Sequence, residues 1–461
     1  MPTQCNAEQL EFSCVERRRV VAAFDGGAVS SDAGALLLGK ADEAIGLIDR
    51  LAGCFVDARD PDLIEHTVRT LIGQRVFGMA LGYEDLNDHE HLRHDPVFGA
   101  LLGKLEPKRR AECAALAGKS TLNRLELHES QGESRYHKIR PEGAAIERLW
   151  VELFLDAHRE APGEIILDLD ATDDPLHGHQ EGRFFHGYYD GYCYLPLYIF
   201  AGEHLLCAKL RRANLDGAAG AREEVGRIVA QIRERWPTVK IILRADSGFC
   251  REALMSWCEQ NAVDYVLGLA RNARLVRSIG AELHAAAAES RERQRPARRF
   301  KELVYRTRRS WSCARRVVAK AEQTGDKANP RFIVTSLPIA QWPARALYED
   351  CYCARGECEN RIKEAQLDLF ADRLSTATFR ANQLRLWLAS AAYVLMHTLR
   401  RVGLKHTALA RACANTIRLK LLKIGAVVTV SVRRVKLAMS EACPHQREFI
   451  AAFQALSAAA R

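Results

Sequence analysis

Two apolar runs in the middle of the chain end in acids. One is ILDLDATDD, residues 166–174, with Ile165 before it. The other is IILRADSGF, residues 241–249, which closes on Asp246. Each predicts a buried strand with a carboxylate at its C-terminal end, where open α/β sheets place their sites. The surrounding pattern predicts strands at 164–170, 193–200 and 204–210, with Gly202 at the last turn. A helix at 218–235 closed by Pro237, a strand at 239–245, a helix at 251–261 and a strand at 264–270 follow.

The order βββαβαβ is that of a ribonuclease-H-like fold. Its first and fourth strands are neighbours, which brings Asp170 and Asp246 together. Residues 271–337 then interrupt the alternation. They open helical and continue with strand-like runs, SWSCARRVVAKAE and RFIVTS. The next helix reads YCARGECENRIKEAQ, residues 352–366. Tyr352, Arg355, Glu359 and Lys363 are spaced i, i+3, i+7 and i+11, one stripe at 3.6 residues per turn. An amphipathic helix usually buries an apolar stripe. This one carries a hydroxyl, a cation, a carboxylate and a cation. Either it is a solvated face with intrahelical pairs, or it meets a metal and a polyanion.

Before the strands the pattern is mostly helical. One or two short strands precede Gly26–Gly27, Ser30 to Asp32 can cap a helix, and a long run covers 62–81 up to Gly82. Residues 109–116 and 121–128 read as two helices around a glycine turn, with Ser120 as N-cap. This resembles a helix-turn-helix, in which Arg124 would be exposed to reach a base edge. HEHLRH at 89–94 has no common zinc spacing. Beyond Asp372 the chain reads helical, except for a strand-like alternation at 427–435.

At 461 residues the chain predicts two or three domains. We expect a mainly helical N-terminal domain (1–150), a catalytic α/β domain (151–375, with a β-rich insertion at 271–337) and a basic helical region (376–461). The net charge is only +9, yet residues 373–440 hold thirteen Lys and Arg and no acid. A second basic cluster is RERQRPARRFK at 291–301. That concentration favours a polyanionic partner, with Arg400, Arg401 and Lys405 as expected phosphate contacts. The fourteen cysteines form no CxxC pair. Cys351 and Cys358, seven apart, are expected to be core thiols. No apolar run is long enough for a membrane span. MPTQCNAEQ does not read as a signal peptide, so reduced thiols and a cytoplasmic location are expected.

Two strand-end aspartates and a helical glutamate make an acidic triad. The chain resembles an insertion-sequence transposase of the DDE superfamily, in the group marked by Tyr-(2)-Arg-(3)-Glu-(6)-Lys. Tyr352, Arg355 and Glu359 match at that spacing, and Gln366 stands where the group has Lys. Lys363, one turn earlier, is expected to take part of that role. The resemblance extends over ILDLDATDDPLHGHQEGRFFHGYYDGY and LRADSGF. It implies a double-stranded DNA partner, an N-terminal domain for the element's ends, a synaptic homodimer and the β-rich insertion. It also implies two Mg2+ (or Mn2+) ions held by Asp170, Asp246 and Glu359.

Asp168 shares the strand parity of Asp170. The group's Asp-x-Thr matches residues 170–172, which selects Asp170 and leaves Asp168 to pair with Arg244. Arg355 and Tyr352 suit a phosphate beside the scissile bond. Arg183, with His177 and His179, follows the first aspartate and can touch DNA backbone. Trp311, between Arg308-Arg309 and Arg315-Arg316, is either a base-stacking platform or a core tryptophan. The reading is cut-and-paste transposition. Its alternatives are a metal-dependent nuclease on the same scaffold and a DNA-binding protein with a silent core; the presence of all three acids argues against the last.

Overall fold

The computed structural model describes residues 9–108, 113–127, 136–325 and 327–460. The chain divides into two compact units, Pro141–Ser390 on one hand and Met1–Arg140 with Ala391–Arg461 on the other. The boundary falls inside the helix Phe379–Thr398.

The first unit is built on one large mixed sheet. Its strands, in chain order, are β1 (Glu164–Ala171), β2 (Leu197–Ala201), β3 (His204–Lys209), β4 (Lys240–Ala245) and β5 (Asp264–Leu269). Three more come from the expected insertion: β6 (Ala297–Tyr305), β7 (Arg315–Thr324) and β8 (Arg331–Thr335). Across the sheet they lie in the order β3-β2-β1-β4-β5-β8-β7-β6, and the two-residue strand Lys327–Ala328 pairs with β7. The insertion therefore lengthens the sheet beyond β5. The β1–β4 and β4–β5 pairs are parallel, and Ala245 lies opposite Leu169. Asp246 thus follows β4 level with Asp170 on β1.

Both faces of these strands are covered, so they read as nearly continuous apolar runs. Ile165, Leu167 and Leu169 face a core shared with the helices α1 (Ala221–Arg235) and α2 (Glu252–Gln260). Ile242, Val266, Val318 and Ile333 face the other way, against Leu347, Tyr348 and Cys351 at the start of the long helical segment. On that second side Asp168 and Arg244 are cross-strand neighbours. The Arg244 guanidinium grips both carboxylate oxygens, at 2.5 and 2.7 Å, and donates to the Cys351 carbonyl at 2.6 Å. The pairing of Asp168 with Arg244 is as expected, and it also fastens the helical segment to the sheet.

One expected strand is divided. Residues 193–200 cover the end of Gly191–Tyr194, which belongs to a small sheet with Asp174–Pro175 and Phe184–His186, and most of β2. Pro196 has no N–H to donate to a ladder, and the chain changes sheets there.

The second unit has a hairpin (Leu10–Val15 with Arg18–Ala22) and the helices Leu36–Ile45, Val68–Ala80 and Lys119–Glu126. Later come the hairpin Ala426–Ser431 with Arg434–Met439 and the helix Gln446–Ala459. The single strand expected at 427–435 is therefore a hairpin. The helix expected at 109–116 lies partly outside the described residues, and residues 113–118 are not helical. Ser120 is inside the second helix, whose N-cap is Gly118, so the capping assignment is corrected. His89 is buried, bonded to Gln74, and held as the neutral imidazole by burial and by Arg75, with a pKa near 3. That environment gives His89 a packing role, whereas His91 and His94 are exposed.

Removing one partner of a buried ion pair strands the other charge. Arg244→Met should lower the unfolding free energy by about 3–5 kcal/mol, read from denaturant midpoints. Adding Asp168→Leu should recover most of that loss. A silent single substitution would show that the pair does not hold the helical segment.

Candidate functional site

The chain is helical from Ala344 through Asp368, but not as one regular α-helix. It runs as a short α-helical turn, a π-helical turn at Leu347–Tyr352, a 3-10 turn at Cys353–Arg355, an α-helix at Gly356–Lys363 and a π-helical turn at Glu364–Asp368. In a 3-10 turn, residues three apart eclipse. Tyr352 and Arg355 therefore stay aligned, and Arg355 meets Glu359 four residues on, over the following α-helical turn. Cys351 and Cys358 are buried on the opposite side, as core thiols.

This segment and the ends of β1 and β4 line an open cavity of about 820 Å³. Asp170, Asp246, Arg355, Glu359 and Lys363 all line it. Asp170 Oδ1 accepts the Ala171 amide at 2.9 Å, and Oδ2 takes Arg355 Nη1 at 3.3 Å. Arg355 Nη2 reaches Glu359 Oε1 at 2.5 Å. One guanidinium thus spans two of the three acids. Asp246 caps the short turn Ser247–Phe249, with Oδ1 accepting the Gly248 amide at 2.8 Å. Burial pushes the Asp170 carboxyl up to about 6; Arg355 pulls it down, while Asp246 and Glu359 push it further up. Burial also raises the Tyr352 hydroxyl, against the pull of Arg355.

Among the described residues, no three His, Cys, Asp or Glu side chains stand in a metal-holding arrangement. The acids share the cavity, and a guanidinium lies between two of them. Glu357 is exposed and Glu364 is paired with Arg361 at 3.2 Å; neither lines the cavity.

The other expected contacts are more scattered. Lys363 is exposed in the cavity, whereas Gln366 uses its amide on Asp173 and Asp174. Arg183 bonds locally, to the Gly178 carbonyl and at 3.0 Å to His179, and lies 4.7 Å from the Tyr192 ring. Trp311 is 5% exposed, in the core against Tyr305, with Arg315 over its ring. Of its two readings, the core tryptophan is the one observed. Arg124 is exposed on its helix and packs 5.2 Å from the Tyr136 ring. Arg400 is buried and donates to the Ala412 carbonyl at 3.1 Å, and burial lowers the pKa of Arg401. Of these three basic residues only Lys405 is exposed, so the expectation that Arg400 offers a surface charge is corrected.

Two features went unread in the sequence. Tyr188 and Tyr189 line the cavity and stack edge to face, 5.0 Å apart. Gly268, on β5, lies where a Cβ would come within 2.6 Å of Tyr352 Oη and 2.7 Å of the Ser247 amide. A glycine inside an apolar strand is the available signal for such an approach.

A family model described as Transposase DDE domain group 1 matches residues 12–461. The chain belongs to this family of DDE transposases. No curated protein matches it. Family membership gives a transposase, with the nuclease and transposition chemistry and divalent-metal use general to the class. Among the described residues no helix is long and apolar enough to cross a membrane.

Gly268→Ala should cost about 1–3 kcal/mol of stability, because the Asp246 turn and Tyr352 must both move. An unchanged denaturation midpoint would show that the two are not packed against β5 as described.

Proposed function

We propose that this protein is a cut-and-paste DNA transposase that cleaves the inverted-repeat ends of its element and joins them to target DNA. The observation that carries the reading is the single cavity lined by Asp170, Asp246, Glu359 and Arg355. We read the sheet β1 to β5 with its helices as a ribonuclease-H-like core. The N-terminal region is its end-binding part, and a homodimer in the bacterial cytoplasm synapses the two ends. Asp170, Asp246 and Glu359 would hold two Mg2+ or Mn2+ ions.

The donor set fits a hard divalent cation. All three side chains offer oxygen, the preferred ligand atom. Asp170 is a half-buried carboxyl whose pKa is raised, a carboxylate short of positive charge. The Arg355 guanidinium supplies such a charge between Asp170 and Glu359. When bound, a pair of ions supplies Lewis-acid stabilisation to attacking and leaving oxygens in an in-line displacement.

The chain's own cations have a separate task. Arg355, freed from the carboxylates, presents a planar fork to a phosphate oxygen. Tyr352 is aligned with it and donates to the same group. Lys363 adds a flexible charge at the cavity wall. Tyr188, exposed at the cavity, offers an aromatic face to an unpaired base.

Glu359→Gln and Asp246→Asn should abolish cleavage of DNA carrying the element's ends with Mg2+, while end binding persists. Glu357→Gln and Glu364→Gln should keep most cleavage. Efficient cutting by Glu359→Gln, or loss of cutting in Glu357→Gln alone, would overturn the assignment. DNA affinity should fall on the order of a thousandfold between about 50 and 200 mM salt if six or more phosphates are neutralised. A flat salt dependence would reject the DNA reading of the basic surface.

A further inference from the structure

The group signature has lysine where this chain has Gln366, and the side chain is committed to its own protein. Its Nε2 donates to the Asp173 carbonyl at 3.1 Å and to Asp174 Oδ1 at 2.8 Å. Asp174 is wholly buried, on the two-residue strand Asp174–Pro175, opposite Tyr194. Among the described residues its Oδ2 has no hydrogen-bond partner, nor does the nearby buried hydroxyl of Tyr198. The charged groups bearing on Asp174 are Asp173 and Asp372, both acids, and burial raises its carboxyl strongly. Tyr198 and Cys193 are the other titratable groups near it. An unpaired charge is costly in such a place, and a neutral carboxyl facing a neutral amide is the matched arrangement.

The link joins two parts of the proposed metal site. Asp173 and Asp174 follow Asp170 by three and four residues, and Gln366 follows Glu359 by seven. Arg355 also ties Asp170 to Glu359, but through the carboxylates themselves. Those carboxylates are the groups that would hold metal, so metal would compete with that tie. The bonds of Gln366 involve neither ligand, so metal uptake would not have to break them.

We propose that Gln366 is a positioning residue. Through its bonds to Asp173 and Asp174 it forms a latch that holds the segment after Asp170 against the helix bearing Glu359, while exposed Lys363 supplies the cation at the cavity wall. The inference rests on the proposed metal site, and it predicts a specific charge rule. A lysine at 366 offers the same donors with a positive charge, and it suits Asp174 only if that carboxyl ionises to meet it.

The test uses the full-length protein and a duplex carrying the sequence that flanks the gene, with Mg2+. Backbone amide exchange at residues 172–176 is followed independently. Gln366→Met keeps the volume and removes the donors. It should lower the cleavage rate about tenfold, as two acceptors, one of them on a buried carboxyl, lose their donor, leave end binding unchanged and speed exchange at 172–176. Gln366→Lys should restore rate and protection. In the Asp174→Asn background, Gln366→Lys should fail, whereas Asp174→Asn alone should be tolerated. The latch is overturned if Gln366→Met keeps wild-type protection. It is also overturned if Gln366→Lys works equally well with Asp174→Asn, or if Gln366→Met weakens DNA binding rather than the rate. Should the wild-type protein fail to cut, the proposed function falls, and the exchange measurements still decide the latch.

Discussion

Carboxylates gathered at the ends of adjacent strands repel one another, and burial makes the repulsion costlier. Asp170 and Asp246 are such neighbours, and Glu359 approaches them from the helix. Arg355 resolves the conflict by donating to Asp170 and Glu359 at once. Without a cation among them, the acids would protonate or separate; Asp170 is already pushed toward neutrality. The architecture around the cavity presents these groups to one another.

That architecture depends on ties that are not themselves catalytic. Arg244 binds Asp168 and reaches the Cys351 carbonyl, so sheet and helical segment share one buried charge pair. Gly268 lets the Asp246 turn and Tyr352 approach β5 closely. The π-helical and 3-10 turns alter the helical register twice, yet Tyr352, Arg355 and Glu359 remain aligned. Gln366 adds a further tie beyond the last α-helical turn. The three strands of residues 297–335 extend the same sheet and supply part of the face that packs under Tyr348.

The strand-end acids were legible because strands covered on both faces leave unbroken apolar runs, and a carboxylate at the end of such a run has few reasons to be there. The helical stripe was legible from spacing, although regular α-helical periodicity was not the whole cause. Composition gave the surface only in part. Eight of the thirteen cations in the acid-free stretch 373–440 are exposed, as a charged surface requires, but Arg400 and Arg418 are buried and bonded to backbone carbonyls. A charge count carries no information about which cations satisfy carbonyls inside the fold. Trp311 among arginines left a stacking platform and a core tryptophan both open; it is in the core, and Arg315 is neutralised by Glu252 and Glu259, some sixty residues away in sequence. Such distant partners leave no local pattern, and neither does the clearance required at Gly268.

The central claim is that Arg355 holds the place of positive charge that divalent ions take. Titrating Mn2+ into wild-type protein and into Arg355→Ala, with binding followed by electron paramagnetic resonance, tests it directly. The account predicts tighter Mn2+ binding in Arg355→Ala, because the competing cation is gone, and loss of that binding when Asp246→Asn is added. Weaker or unchanged binding on removal of Arg355 would contradict it.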